Sequence, residues 1–466
     1  MAARTPNDRL ARLMADAGFD SHKAFARAVL DESQRAGEPL RRCDHTYVAR
    51  WLDGMSPRGK TPMFIAAALG RRLGRRVALS EIGMATAGEA PPLTLGLEYP
   101  ESLNDGAENV ARLWRADLDD SSLVLRPQVD PSAWESVSLR WLVNPSVSGN
   151  LSTHGANIGE SDVMRFRTTV GLFSQLDNRF GGGHARQSLV QYLATDGERL
   201  LRGRYTDSVR RNVFSSVAEA TLLAAWMSYD SGLHSLAQRY FIQALGLAQA
   251  GDDRLLAASI LDAMSHQATF VGRFRDAANL ARAAKAGTQG IATPTLSAHF
   301  SAMEARALAR LGDARACDLA LSEAVKEFER RNPEDDPEWI RYFDDAELAA
   351  EFGHCFRDLG RPVDASRYAD QCLGTIDDGV YLRSDFFATM VLADSHLNAG
   401  EPERACMVAL EALKLGEQLR SARCVSYLRE FRERLQAIGM SPAIASFNEQ
   451  ARASRLWRIA SSSGQR

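Results

Sequence analysis

The chain has 466 residues, 45% of them hydrophobic and 25% charged, with 56 basic and 59 acidic side chains and a formal net charge of −3. At roughly 100–200 residues per domain, this length implies about two to four domains with ample buried cores. The balance excludes a disordered or fibrous chain, and no apolar run approaches the roughly 18 residues that a membrane span needs.

Six cysteines (Cys43, Cys317, Cys355, Cys372, Cys406 and Cys424) supply neither a disulfide framework nor a Cys-x-x-Cys zinc signature. The start of the chain has no secretory signal, so a reduced, cytoplasmic protein without a membrane partner is expected. The charge is unevenly spread. Residues 1–84 carry 15 Lys and Arg against 9 Asp and Glu, a net +6, and the remainder carries 41 against 50, a net −9. A local field of this kind, rather than the total, is what attracts a polyanion.

Residues 1–84 read as four or five short helices. Thr5 is the expected cap of the first, with Pro6 at its first position; Leu10, Leu13, Met14 and Ala17 follow helical spacing, and Gly18 stops it. Ser21 opens a second helix carrying Phe25 and Val29. Asp44 caps a third with Val48, Trp51 and Leu52 on one side, and Gly54 ends it. A fourth begins at Thr61-Pro62 and carries Ile65, Leu69 and Leu73.

This order resembles the lambda-repressor-like helix-turn-helix domain of the Xre type, through Phe25-Ala26, Val48-Ala-Arg-Trp51-Leu-Asp-Gly54, Pro57 and the Leu69–Leu73 helix end. It departs from that pattern in one place. About a dozen residues, 31–42, separate helices two and three, where three or four are usual, and the second helix is expected to run into them. With Val48 and Trp51 facing the core, His45, Thr46, Ala49 and Arg50 lie opposite. Such a helix points its N-terminal side chains at base edges in the major groove of double-stranded DNA. Arg50 is the candidate for a bidentate contact to guanine, with His45 and Thr46 reading neighbouring bases. His22, Lys23, Arg41, Arg42, Arg58 and Lys60 are candidates for holding phosphates.

Residues 85–160 change in composition, with six proline positions and a Gly/Ser/Asn-rich stretch at 147–159. They read as a linker whose middle is ordered, because Trp114, Trp134 and Trp141 are costly to expose. Its helix-like piece, residues 106–117, is expected to dock on the repeats C-terminal to it. Helical pattern resumes over 162–180, 184–201 and 208–229.

Residues 161–445 read as a helical repeat. Gly232, Gly272, Gly312, Gly360 and Gly400 recur at spacings of 40, 40, 48 and 40, and each is followed five residues later by Ala or Cys. The long step is accounted for by an insertion around residues 331–338. The units look like tetratricopeptide helix pairs with lengthened helices. The expected fold is therefore all-α: a helix-turn-helix bundle followed by a tetratricopeptide-like solenoid, with residues 446–466 as a C-terminal tail whose last six residues, 461–466, fray.

Four further stretches, at residues 113–119, 175–184, 238–245 and 336–348, are similar to the helix-turn-helix/tetratricopeptide regulators of filamentous actinobacteria. The resemblance implies transcriptional control of development or antibiotic production, a nucleoid-associated location and a homodimer. It implies no particular ligand.

Motifs for chemistry are sparse. Gly181-Gly182-Gly183-His184, between Arg179 and Arg186, is a candidate anion cradle or ligand site, although a permissive helix–helix turn explains it better. Glu351, His354 and Cys355 lack a third ligand at metal-site spacing. No catalytic constellation and no cofactor motif is found, so neither an enzyme nor a cofactor is expected. The function expected is that of a DNA-binding regulator whose solenoid dimerises and receives a peptide, small-molecule or protein signal. The alternative is an interaction scaffold without DNA.

Overall fold

The computed structural model describes residues 6–462 except 36–38, 41, 56, 58–59, 74–76, 78–81, 83, 85–93, 120–121, 126, 144–154 and 375–380. Among these the fold is all-helical, with one isolated bridge between Asn157 and Arg204. No described helix is long and apolar enough to cross a membrane. The chain divides into two compact units, residues 1–92 and 93–466.

The first unit contains α1 (Asp8–Asp16), α2 (His22–Arg35), α3 (His45–Leu52) and α4 (Thr61–Leu73). Leu10, Phe25, Val29, Val48, Ile65, Leu69 and Ile82 are fully buried in one core. The expected start of α1 is corrected. Asn7, not Thr5, caps it by accepting from the N–H of Leu10 (3.1 Å), and Pro6 lies before the helix. The same side chain donates to the Ile82 carbonyl (2.8 Å), so the cap also anchors the end of the unit. The extension of α2 beyond residue 31 is observed. Glu32, buried there, takes hydrogen bonds from Arg35 (2.6 Å) and Arg71, which ties α2 to α4 and holds its carboxyl below the ordinary value.

The second unit is built from five consecutive helix pairs: α11 (Asp207–Asp230) with α12 (His234–Ala250), α13 (Arg254–Phe270) with α14 (Phe274–Gly287), and α15 (Pro294–Leu311) with α16 (Ala314–Phe328). The last two are α17 (Asp345–Asp358) with α18 (Pro362–Leu373), and α19 (Leu382–Asn398) with α20 (Pro402–Leu415). The five repeat glycines all have φ between +68° and +81°. At each, the residue after the glycine donates its N–H to the carbonyl five positions back, as Leu233 does to Ser228 and Arg361 to Phe356. This closes the helix in the left-handed conformation that side chains resist. The small residues five positions on (Ala237, Ala277, Cys317, Ala365, Ala405) are fully buried, which lets the second helix of each pair close on the first. The insertion lies between α16 and α17.

Before the pairs come α5 (Leu103–Leu118), α6 (Ser122–Leu125), α7 (Pro131–Val143), α8 (Glu160–Phe180), α9 (Arg186–Tyr192) and α10 (Glu198–Leu201); α21 (Ala422–Ile438), α22 (Pro442–Ala451) and α23 (Arg455–Ser462) follow them. Two boundaries therefore differ from those expected. The segment read as a linker belongs to the body: α5 packs on α12, α7 packs on α14, and Trp114, Trp134 and Trp141 are at most 1% exposed. Each buried indole removes about 150–250 Å² from water, roughly 4–6 kcal/mol at about 25 cal/mol per Å². The segment read as a C-terminal tail packs as the end of α22 and as α23 through Phe447, Leu456, Trp457 and Ala460, all buried.

The docking of α7 depends on a missing side chain. A Cβ on Gly287 would lie 2.1 Å from the Trp141 ring and 3.1 Å from Arg254 Nη2, and the Arg254 guanidinium stacks on that ring at 3.8 Å. Arg254 also donates to the carbonyls of Gly287 and Trp141, both at 3.1 Å. Gly287→Ala should thus lower stability by about 1–3 kcal/mol or more, since neither ring nor cation has room to retreat. The urea midpoint reads this directly, and an unchanged midpoint would mean that α7 is not held there.

Candidate functional site

The third helix of the first unit is organised by its cap. Asp44 has extended backbone (φ −132°, ψ 179°) and accepts from the N–H of Thr46 at 2.9 Å and from the Thr46 hydroxyl. The hydroxyl bond is the largest of the effects that hold the Asp44 carboxyl down at about 2. The start of α3 is positioned by the loop before it, where the Ser33 hydroxyl donates to the Leu30 carbonyl (2.7 Å) and accepts from the N–H of Leu40 (3.2 Å). Val48 and Trp51 are buried as expected.

The opposite face holds His45, Thr46 and Arg50, all exposed, with the Arg50 guanidinium 6.0 Å from the Tyr47 ring. His22, Lys23, Arg42 and Lys60 are also exposed. Arg41 and Arg58 lie outside the described residues. Two candidates are partly engaged already. Arg42 donates to Asp44 (3.2 Å), neutralising the cap, and the Thr46 hydroxyl is turned to the same carboxylate. Arg50 and His45 are left as the polar groups of α3 best placed to meet a base edge.

The glycine turn of the second unit is not an open anion cradle. Gly182 donates its N–H to the Asp230 carboxylate (2.9 Å), and Gly183 donates to the Arg420 carbonyl (2.9 Å). Arg420 returns its N–H to Phe180 (2.7 Å). A Cβ on Gly182 would sit 2.5 Å from the Met227 carbonyl, so the glycine serves a close backbone approach. Arg186 is buried against Asp117 (2.5 Å), which also accepts from the Tyr240 hydroxyl (2.6 Å). Arg179 and His184 remain outside this network, both exposed and beside the Phe180 ring.

That turn has a different task. Asp177 pairs with Arg383 (2.8 Å), and Asp230 accepts from the Ser421 hydroxyl (2.8 Å) while lying 3.8 Å from Arg383. These bonds join α8 and α11 at the start of the solenoid to α19 and α21 at its end, so the body closes on itself.

The first helices of the pairs face inward, and their polar side chains are what the sequence does not announce. Arg306, Arg357 and Arg423 are each less than 9% exposed. Arg306 pairs with Glu351, and Arg357 pairs with Asp358 (2.7 Å). Burial and the nearby arginines hold His266 and His354 neutral, well below the usual imidazole value. His354 and Glu351, weighed as metal ligands from the sequence, thus belong to this polar interior, where His354 Nδ1 lies 3.4 Å from the Tyr427 hydroxyl. Asp262 meets His299 at 2.6 Å.

Glu347, in the first turn of α17, has its carboxyl pushed up to about 7 by burial, then by Glu351 and Asp344. Because the folded value lies above the ordinary 4.5, the folded chain keeps a proton that the unfolded chain releases. Stability from this group is therefore lost as pH rises from about 4.5 to about 7, and it stays lost above. Glu347→Gln, which mimics the protonated form, should raise Tm at pH 8 and raise it much less at pH 5. Equal shifts at both values would remove the titration from the account.

Residues 10–85 match the sequence profile of the SP15 N-terminal domain family. The match spans the first unit and does not extend to the helical pairs. No curated protein matches the chain. No solved structure matches it.

Proposed function

We propose that the chain is a sequence-specific DNA-binding regulator whose first unit is a helix-turn-helix module reading the major groove with α3. One observation supports this above the rest. The unit that carries the positive excess exposes Arg50 and His45 on the face of α3 opposite its buried Val48 and Trp51. A helix so capped, with an arginine free of any carboxylate among the described residues, is suited to a guanine edge, and the surrounding cations suit phosphates.

Control of development or antibiotic production, a homodimer binding two half-sites and a nucleoid-associated location follow from the resemblance in the sequence, and they belong to the same proposal. The acidic solenoid is the part proposed to dimerise and to receive a signal. Selection of duplexes from a random pool by the intact protein tests the reading. One enriched motif is expected, lost on Arg50→Ala. A pool that stays random would favour an interaction scaffold in which DNA plays no part.

A further inference from the structure

The interior of the solenoid contains a recess of about 30 Å³, and its lining is strongly cationic for a buried site. Arg306 and Arg310 from α15, Arg357 from α17 and Arg423 from α21 line it, against Asp358 and Glu430. Asp358 is already taken by Arg357 (2.7 Å) and Arg310 (3.9 Å), and Glu430 faces Arg434 (3.6 Å). Arg423 differs from the others. It is 8% exposed and makes no ion pair among the described residues. Instead its guanidinium is caged by aromatic faces: Phe387 at 4.5 Å, Tyr229 at 4.8 Å and Phe270 at 5.9 Å from the ring centres.

A buried cation without a counter-charge is costly, and stacking on rings offsets only part of that cost. Three N–H groups of the lining arginines, Arg306 Nε, Arg357 Nη1 and Arg423 Nε, are buried and have no hydrogen-bond acceptor among the described residues. Arg357 Nη1 nevertheless lies 3.7 Å from the Asp394 carboxylate and Arg306 pairs with Glu351, so of the three only Arg423 has neither an acceptor for its Nε nor an ion pair among the described residues. His266, also in the lining, is held neutral and adds no charge of its own.

We infer that this recess is a binding site for the carboxylate head group of a small molecule, seated on Arg423. Planar guanidinium groups pair with carboxylates through parallel N–H bonds, and a recess as small as about 30 Å³ suits a flat carboxylate end better than a tetrahedral phosphate. The site lies beside the seam, because Arg423 is the second residue of α21 and Ser421, its cap, bonds Asp230 across that seam. An occupied recess accordingly favours the closed body. The binding does not depend on whether the first unit reads DNA.

Thermal unfolding of the intact protein in chloride-free buffer, titrated with acetate or benzoate and with phosphate at matched ionic strength, tests the site. Either carboxylate should raise Tm in a saturating way and phosphate should not. Arg423→Gln should weaken the apparent affinity at least about tenfold, the loss expected for a charge-assisted bond. Arg330→Gln, exposed in the turn after α16, should leave it unchanged. The inference fails if neither carboxylate shifts Tm, if phosphate shifts it equally, or if Arg423→Gln responds like the parent. Should Arg423→Gln not fold, hydrogen exchange of the parent decides. Benzoate must then slow exchange in α21 and at the C-terminal ends of α13 and α15, and a footprint elsewhere overturns the site.

Discussion

Asp230→Ala should destabilise the folded chain by about 3–5 kcal/mol, the range for removing one partner from a buried charged network. Asp230 is 1% exposed and accepts from the Gly182 N–H and the Ser421 hydroxyl, with Arg383 3.8 Å away. Its loss leaves a buried backbone donor unpaired and Arg383 with Asp177 alone. It also loosens α21, since the Ser421 oxygen that bonds Asp230 accepts from the Cys424 N–H (3.2 Å). Asp230→Asn keeps the shape and an acceptor, so it should recover about half of the loss. Urea unfolding measures both. A cost below about 1 kcal/mol for alanine would show that the solenoid closes by apolar packing alone.

The contrast between this seam and the repeats shows which features a sequence can reveal. The turns of the helical pairs are local: a glycine with positive φ, a bond five residues back and a small residue five residues on. All of that fits within about a dozen positions and recurs five times, so the period is visible without a structure. The cap at Asp44 and the burial of Val48 and Trp51 are local for the same reason. The seam is different. Asp230 and Arg383 are far apart in the chain, as are Asp117 and Arg186, and no periodicity links them.

The misplaced boundaries have a similar cause. Proline and glycine around α5 and α7 read as a linker, yet Pro100 and Trp141 of that segment each close on a glycine of a repeat helix. The Pro100 ring lies where a Cβ on Gly246 would be, 2.4 Å away, and Trp141 lies over Gly287. The run of serines after Ala460 drew the end of the chain toward a tail outside the solenoid, although Leu456, Trp457 and Ala460 already mark one buried face. The arginine recess was the least legible feature. It draws on five helices, and each of its cations, taken singly, looks like an ordinary solvated charge.

Arg50→Ala should remove sequence preference from DNA binding while leaving most of the affinity for any duplex. A bidentate arginine–guanine contact discriminates by about 1–3 kcal/mol, roughly 5–150-fold between a selected site and a scrambled one. The exposed position of Arg50 on α3, away from the buried Val48 and Trp51, means that truncation should not disturb the fold, and Tm should be unchanged. Lys23→Ala should behave differently. At the start of α2 it is placed to meet a phosphate, so its loss should weaken selected and scrambled duplexes alike. It should also reduce the slope of log affinity against log salt by about 0.9, one released counterion. Titrations by fluorescence anisotropy at several salt concentrations separate the two effects. If Arg50→Ala lowered affinity for all duplexes equally and kept the preference, Arg50 would be a phosphate contact and another face of the unit would read the bases.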